Sequence, residues 1–155
     1  MTATITPRMD IAALAPAAYK AMLTLDRAAH QTSLPKPLLE LVKLRASQIN
    51  GCAYCVDMHG ADATSGGESD NRLFALAVWQ EAPFFTETER AALALTEAMT
   101  RLSEAGDRVP DGLWQRAAKH FDDRLLAELV MVIVTINAWN RICVTTRMLP
   151  ESYEA

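Results

Sequence analysis

Apolar positions along the chain recur at three- and four-residue intervals, and no run alternates apolar with polar residues long enough to demand a strand. Glycine and proline punctuate these stretches at helical lengths. The pattern predicts an all-α fold of about seven helices in a single domain spanning residues 1–155. The first predicted helix runs from Pro16, placed in the opening turn, to about Gln31, with Tyr19, Met22, Leu23 and Leu25 on one stripe. After the break from Ser33 to Pro37, a second begins near Pro35 or Pro37 and carries Leu38, Leu41, Val42, Arg45 and Ile49 to an Asn50-Gly51 stop. The third opens almost at once with Cys52-Ala53-Tyr54-Cys55 and ends at Gly66-Gly67. Ser69 or Asp70 caps a fourth, which holds Leu73, Phe74, Leu76, Ala77 and Val78 and stops by Pro83. Thr86 with Glu89 is a capping-box signature for a fifth, ending near Ala105. A turn at Val109–Gly112 leads to a short sixth around Leu113 to His120. The seventh, from about Asp123 to Met148, is rich in β-branched residues, but about 25 residues without Gly or Pro decide for helix. Its longest apolar run, Leu129 to Val134, is too short to span a bilayer.

Composition narrows the class. A chain of 155 residues, half of them hydrophobic, can bury roughly two-thirds of the surface that its unfolded form exposes and needs no metal or disulfide staple. The net charge of -4 provides no basic footprint for nucleic acid or an anionic membrane. Three cysteines cannot all pair within one chain, and the stretch from Met1 to Lys20 does not read as a secretory leader. A cytoplasmic protein is expected, where a C-x-x-C pair serves catalysis or metal binding more often than structure.

The chemistry concentrates in Asn50-Gly51-Cys52-Ala53-Tyr54-Cys55-Val56-Asp57-Met58-His59. Cys52 falls at or beside a helix N-cap, where free N–H groups and the helix dipole favour a thiolate. Cys55 lies deeper, with His59 four residues on and on the same face, able to take a proton from its thiol. Dipole and imidazole thus favour different sulfurs, which leaves their order open. If the helices flanking Gly51 form an antiparallel hairpin, Glu40 and His59 stand at depths of roughly 16 and 12 Å from the apex, nearly level. A carboxylate there could orient the ring, although Lys43 competes for Glu40 by an i,i+3 contact. Cys52, Cys55 and His59 are also three possible zinc ligands, with Glu40 or Cys143 as a fourth. No second closely spaced ligand pair accompanies them, so neither metal nor cofactor is expected. Cys143 reads as a small buried apolar residue. His30 and His120 receive no role, and Trp79, Trp114 and Trp139 read as core or subunit contacts.

A glutamate, a C-x-x-C beginning twelve residues later, and a histidine four after the second cysteine are here Glu40, Cys52, Cys55 and His59. That constellation resembles the alkyl hydroperoxidase D (AhpD)-like proteins of the carboxymuconolactone decarboxylase superfamily. The similarity is strong from Leu38 to Thr64, and Asn137-Ala138-Trp139-Asn140-Arg141 resembles a C-terminal segment of the family. The resemblance implies an all-helical fold, assembly into trimers or hexamers, and thiol-dependent reduction of hydroperoxides. It implies Cys55 as the peroxide-attacking thiolate, Cys52 as the resolving thiol, and Glu40 with His59 as a proton relay. An external dithiol, a thioredoxin-like protein or a lipoyl group, would regenerate the pair. Where well-known members carry a second histidine, this chain has Tyr54, which can donate a hydrogen bond as an auxiliary group but is a poor base at neutral pH. The competing expectations are a lactone decarboxylase of the same superfamily, whose chemistry does not depend on a cysteine pair, and a zinc-binding or redox-sensing module without catalysis.

Overall fold

Helix ends follow the local rules of the sequence. In the computed structural model, which describes residues 5–104 and 106–153, Thr86 and Glu89 form the reciprocal capping box and Asp122 accepts from the backbone N–H of Leu125 at 2.8 Å. Gly51 takes the left-handed conformation, with φ +66°, that ends a helix without steric cost. The helices are α1 (Ile11–Leu14), α2 (Pro16–His30), α3 (Lys36–Asn50), α4 (Ala53–Ser65), α5 (Asp70–Ala75), α6 (Glu87–Thr100), α7 (Asp111–Ala118) and α8 (Asp123–Thr146). One 3-10 turn, Leu76–Val78, follows α5. Among the described residues the fold is all-α, with no strand.

The count corrects the expected seven. Helix α1 is a single turn capped by the Asp10 carboxylate and buries nothing, so it carries no apolar stripe to read. The thiols therefore open the fourth helix, not the third. The helix expected from Ser69 to Pro83 stops at Ala75 and tightens into the 3-10 turn. Residues three apart eclipse one another in such a turn, which suits the burial of Leu76, Trp79 and Ala82 on one side while Phe74 and Val78 stay exposed. Helix α6 ends at Thr100; Ala105, its expected end, lies outside the described residues.

Helix α3 is the centre of the fold. It packs against α4, α6 and α8, and every residue from Leu41 to Ser47 is buried, Lys43 and Arg45 included. On one side Leu38, Leu39 and Val42 meet Leu95, Leu129 and Ile133; on another Leu41 and Leu44 meet Leu76, Trp79 and Leu93. A third cluster joins Ala46, Cys52, Cys55, Ile136 and Cys143. By length and apolar composition α8 could cross a bilayer, contrary to the expectation from its short apolar run. Here it is a core helix. Its buried Asn137 and Asn140 bond to other helices, an arrangement that serves a packed interior.

Candidate active site

Gly51 and Cys52 make the whole joint between α3 and α4. The N–H of Gly51 returns to Gln48 and the N–H of Cys52 to Ser47, the paired bonds of a Schellman ending. Cys52 is then the N-cap of α4, its sulfur accepting the backbone N–H of Cys55 at 3.3 Å. The cap brings the two Sγ atoms to 2.7 Å, inside van der Waals contact, while both thiols remain free and each residue is only 1 % exposed.

The corner is locked from α8. Asn140 Nδ2 donates to Ser47 Oγ at 3.0 Å and its Oδ1 accepts from Asn50 at 2.8 Å; Asn50 also donates to Asn137 Oδ1 at 3.0 Å. Sequence alone pointed to this segment only through resemblance. Cys143 is a second surprise. Read as an inert apolar residue, it comes from α8 to place its sulfur within 4.8 Å of both Cys52 and Cys55.

These contacts divide the sulfurs electrostatically. The Cys143 thiol, then the Cys55 thiol, then the Cys55 N–H stabilise a thiolate on Cys52 and hold it well below the usual range, against the opposing effect of burial. Cys143 also favours a thiolate on Cys55, but bonding to Cys52, burial and the Cys52 charge outweigh it and push Cys55 up. The same neighbours and burial push Cys143 up. The close pair titrates as a unit, and these contacts favour a charge on Cys52 over one on Cys55.

Glu40 and His59 meet as the hairpin depth predicts. His59 Nδ1 lies 3.1 Å from Glu40 Oε2, and since a carboxylate only accepts, Nδ1 carries the proton and Nε2 is left free. Burial raises the Glu40 pKa, but hydrogen bonds from His59 and Lys43 more than offset it and hold the carboxyl below its ordinary range. The array continues beyond the predicted pair. Lys43 Nζ bonds Glu40 Oε1 at 2.6 Å and His30 Nε2 at 3.1 Å, and His30 Nδ1 donates to the Asp26 carbonyl at 2.7 Å. Trp139 Nε1 holds the Asp26 carboxylate at 3.0 Å. The i,i+3 contact of Lys43 with Glu40 is expected from sequence, but its bond to His30 is not, because a contact between α2 and α3 leaves no local signature. Tyr54 lines a cavity beside Cys55, with its phenol donating to Glu151 at 2.9 Å. Burial and that carboxylate push its pKa above the usual phenol range.

That cavity, of about 300 Å³, opens on this array. Leu23, Met58, Val132, Ile136 and Trp139 supply apolar wall, and His59, Lys43, His30 and Asp62 supply polar positions. Cys55 and Cys143 reach it; Cys52 does not line it. Two groups of potential metal ligands occur among the described residues, the three cysteines and Glu40 with His59 and Asp62. The Lys43 ammonium beside Glu40 opposes a cation in the second group. Two thiolates on one tetrahedral zinc stand about 3.8 Å apart for bonds of about 2.3 Å, wider than the 2.7 Å between Cys52 and Cys55.

Residues 16–98 match the model of the carboxymuconolactone decarboxylase family. The chain is 39% identical over 137 residues to the uncharacterized protein YdfG of Bacillus subtilis, a span of 88% of this chain and 92% of that one. An Agrobacterium tumefaciens structure described as a putative antioxidant defence protein AhpD superposes with a TM-score of 0.90 at 36% identity, covering 96% of this chain and 100% of the other. A peroxidase-related protein from Silicibacter has the same fold, with a TM-score of 0.74 at 24% identity over 86% of this chain and 70% of that one.

Proposed function

The chain belongs to the carboxymuconolactone decarboxylase family, and on that footing we propose that it is an AhpD-like, thiol-dependent peroxidase, an oxidoreductase that reduces organic hydroperoxides through the Cys52–Cys55 pair. One observation carries the reading: Cys55 and His59 share the wall of a largely apolar cavity, with Cys52 in bonding range behind and Glu40 on the far side of the imidazole.

Resting charge and access point to different sulfurs, and the short contact reconciles them. Passing the shared proton from Cys55 to Cys52 moves the thiolate to the sulfur that faces the cavity. The Cys55 thiolate attacks the outer peroxide oxygen, the O–O bond breaks, and the alkoxide leaves with a proton delivered by way of His59. The Cys55 sulfenic acid then condenses with the Cys52 thiol, forming the disulfide and releasing water. Glu40 holds the His59 tautomer, and Lys43 with His30 extends the array toward the half-exposed His30 ring.

The apolar wall favours an alkyl or aryl hydroperoxide over hydrogen peroxide. A cytoplasmic dithiol, thioredoxin-like or lipoyl, returns the pair to thiols, and the chain works as a trimer or hexamer. The lactone decarboxylase alternative leaves the juxtaposed thiols without a use. The test is a dithiol-coupled assay with cumene hydroperoxide and hydrogen peroxide on the parent, Cys55→Ser and Cys52→Ser. Turnover should vanish in both variants; undiminished consumption in Cys55→Ser would refute the assignment.

A further inference from the structure

The mechanism above leaves the third cysteine idle, yet its placement is not that of an idle residue. Cys143 comes from α8, packs in one cluster with the two cysteines at the start of α4, and has its sulfur within 4.8 Å of both other sulfurs. It lines the cavity with Cys55, whereas Cys52 does not. Asn140, three residues earlier on α8, is bonded to Ser47 and Asn50, so the contacts that fix the α3–α4 corner also fix Cys143 against it. Apart from the two sulfurs of α4, its side-chain partner is the Met148 thioether at 3.7 Å, a weak acceptor.

We propose that Cys143 is a third redox-active thiol, which forms a disulfide with Cys55 at the cavity wall and thereby joins α4 to α8. In the cell this rests on the peroxidase reading, which supplies the oxidant. Two balanced routes lead to the bond. In the first, the Cys55 sulfenic acid condenses with the Cys143 thiol: the S–O bond breaks, the S–S bond forms, and the hydroxyl leaves with the thiol proton as water. In the second, the Cys143 thiol attacks Cys55 within the Cys52–Cys55 disulfide: the new S–S bond forms, the old one breaks, and the Cys143 proton passes to the departing Cys52 sulfur, with no change in overall oxidation state. The leaving sulfur is the one that the start of α4 stabilises, and a more acidic thiol leaves faster. An external dithiol reduces the Cys55–Cys143 bond as it would the first. While that bond stands, the sulfur facing the cavity is shielded from a second peroxide and from irreversible oxidation.

Trypsin separates the partners, since Cys52 and Cys55 fall in the peptide from Ala46 to Arg72 and Cys143 in that from Ile142 to Arg147. Reduced Cys52→Ser and, as a second background, Cys52→Ala are treated with diamide, which oxidises thiol pairs without any peroxide. They are then alkylated, digested without reductant and weighed by mass spectrometry. The expected result is loss of both alkylatable thiols and appearance of the two peptides as one linked species. Two alkylated thiols and no linked species in variants that keep their helical circular dichroism overturn the proposal. A parallel arm replaces diamide with cumene hydroperoxide. Linkage by diamide in the variants, with no disulfide formed by peroxide in the parent, upholds the thiol bond and sinks the peroxidase reading. A Cys52–Cys55 disulfide formed by peroxide in the parent, with no linkage in either variant, upholds that reading and sinks this one.

Discussion

Helix α3 carries two buried charged clusters, set apart by its rotation, and they are built on different principles. Around Arg45, Glu97 accepts from the guanidinium at 2.6 and 2.7 Å, from Trp79 Nε1 at 2.9 Å and from Arg101 at 3.1 Å. A guanidinium does not release its proton near neutrality, and a carboxylate so surrounded does not accept one. Around Glu40 the neighbours are two imidazoles and an ammonium, and the cluster reaches the cavity that the thiols share. Neither arrangement leaves a fully buried side-chain nitrogen or oxygen without a partner among the described residues. The difference is in mobility of the proton. One cluster is a fixed brace, the other a path.

That contrast can be broken or sharpened by experiment. The largest effect belongs to the thiols, where Cys55→Ser should lower hydroperoxide turnover to background in the coupled assay. On the Glu40 side, Glu40→Gln and His59→Gln should reduce turnover by roughly 10²–10⁴-fold, the range of general acid–base contributions. Equal losses in kcat with little change in KM would mark them as acting on chemistry.

On the Arg45 side the loss should fall on stability instead. Arg45→Met takes the closest cation from Glu97, leaving it Trp79 and Arg101, and should lower the unfolding free energy by about 1–3 kcal/mol in urea titrations, with turnover per folded molecule retained. A variant equally stable but inactive would erase the distinction.

Acid should separate the clusters more gently. Burial raises the Glu97 pKa, but hydrogen bonds from Trp79 and Arg45 outweigh it and hold the carboxyl below the ordinary range. The unfolded chain then binds more protons than the folded one. Stability from this group is full above the ordinary glutamate pKa of about 4.3 and is lost as pH falls through the lower native value. Urea midpoints measured down the acid range should drop less steeply in Glu97→Gln than in the parent. The smallest effect is expected at Tyr54→Phe, which removes the bond to Glu151 for about 1 kcal/mol and should leave turnover within a few-fold.

What could be read from the chain follows the range of the interactions. Gly51, the Thr86–Glu89 box and the register of Cys55 with His59 are local, settled within a turn or two of backbone, and they emerged in place. Glu40 opposite His59 was legible because a tight joint turns sequence distance into depth. Lys43 was foreseen only as a surface partner of Glu40, since nothing local shows that packing on several sides of α3 would bury it. His30, Asn140 and Cys143 reach the site from α2 and α8, and no spacing rule connects positions some ninety residues apart, such as Ser47 and Asn140. Helix α1 escaped because one turn that buries nothing leaves no hydrophobic periodicity.

The joint at Gly51 and Cys52 has one more consequence, for how such a site can evolve. With no slack between the two helices, a single inserted residue would swing Cys55 and His59 about 100° around the axis of α4 and advance them about 1.5 Å. The imidazole would turn away from Glu40 and the sulfur from the cavity in one step. New chemistry can enter this corner by exchanging side chains, whereas changes of length must accumulate elsewhere in the molecule.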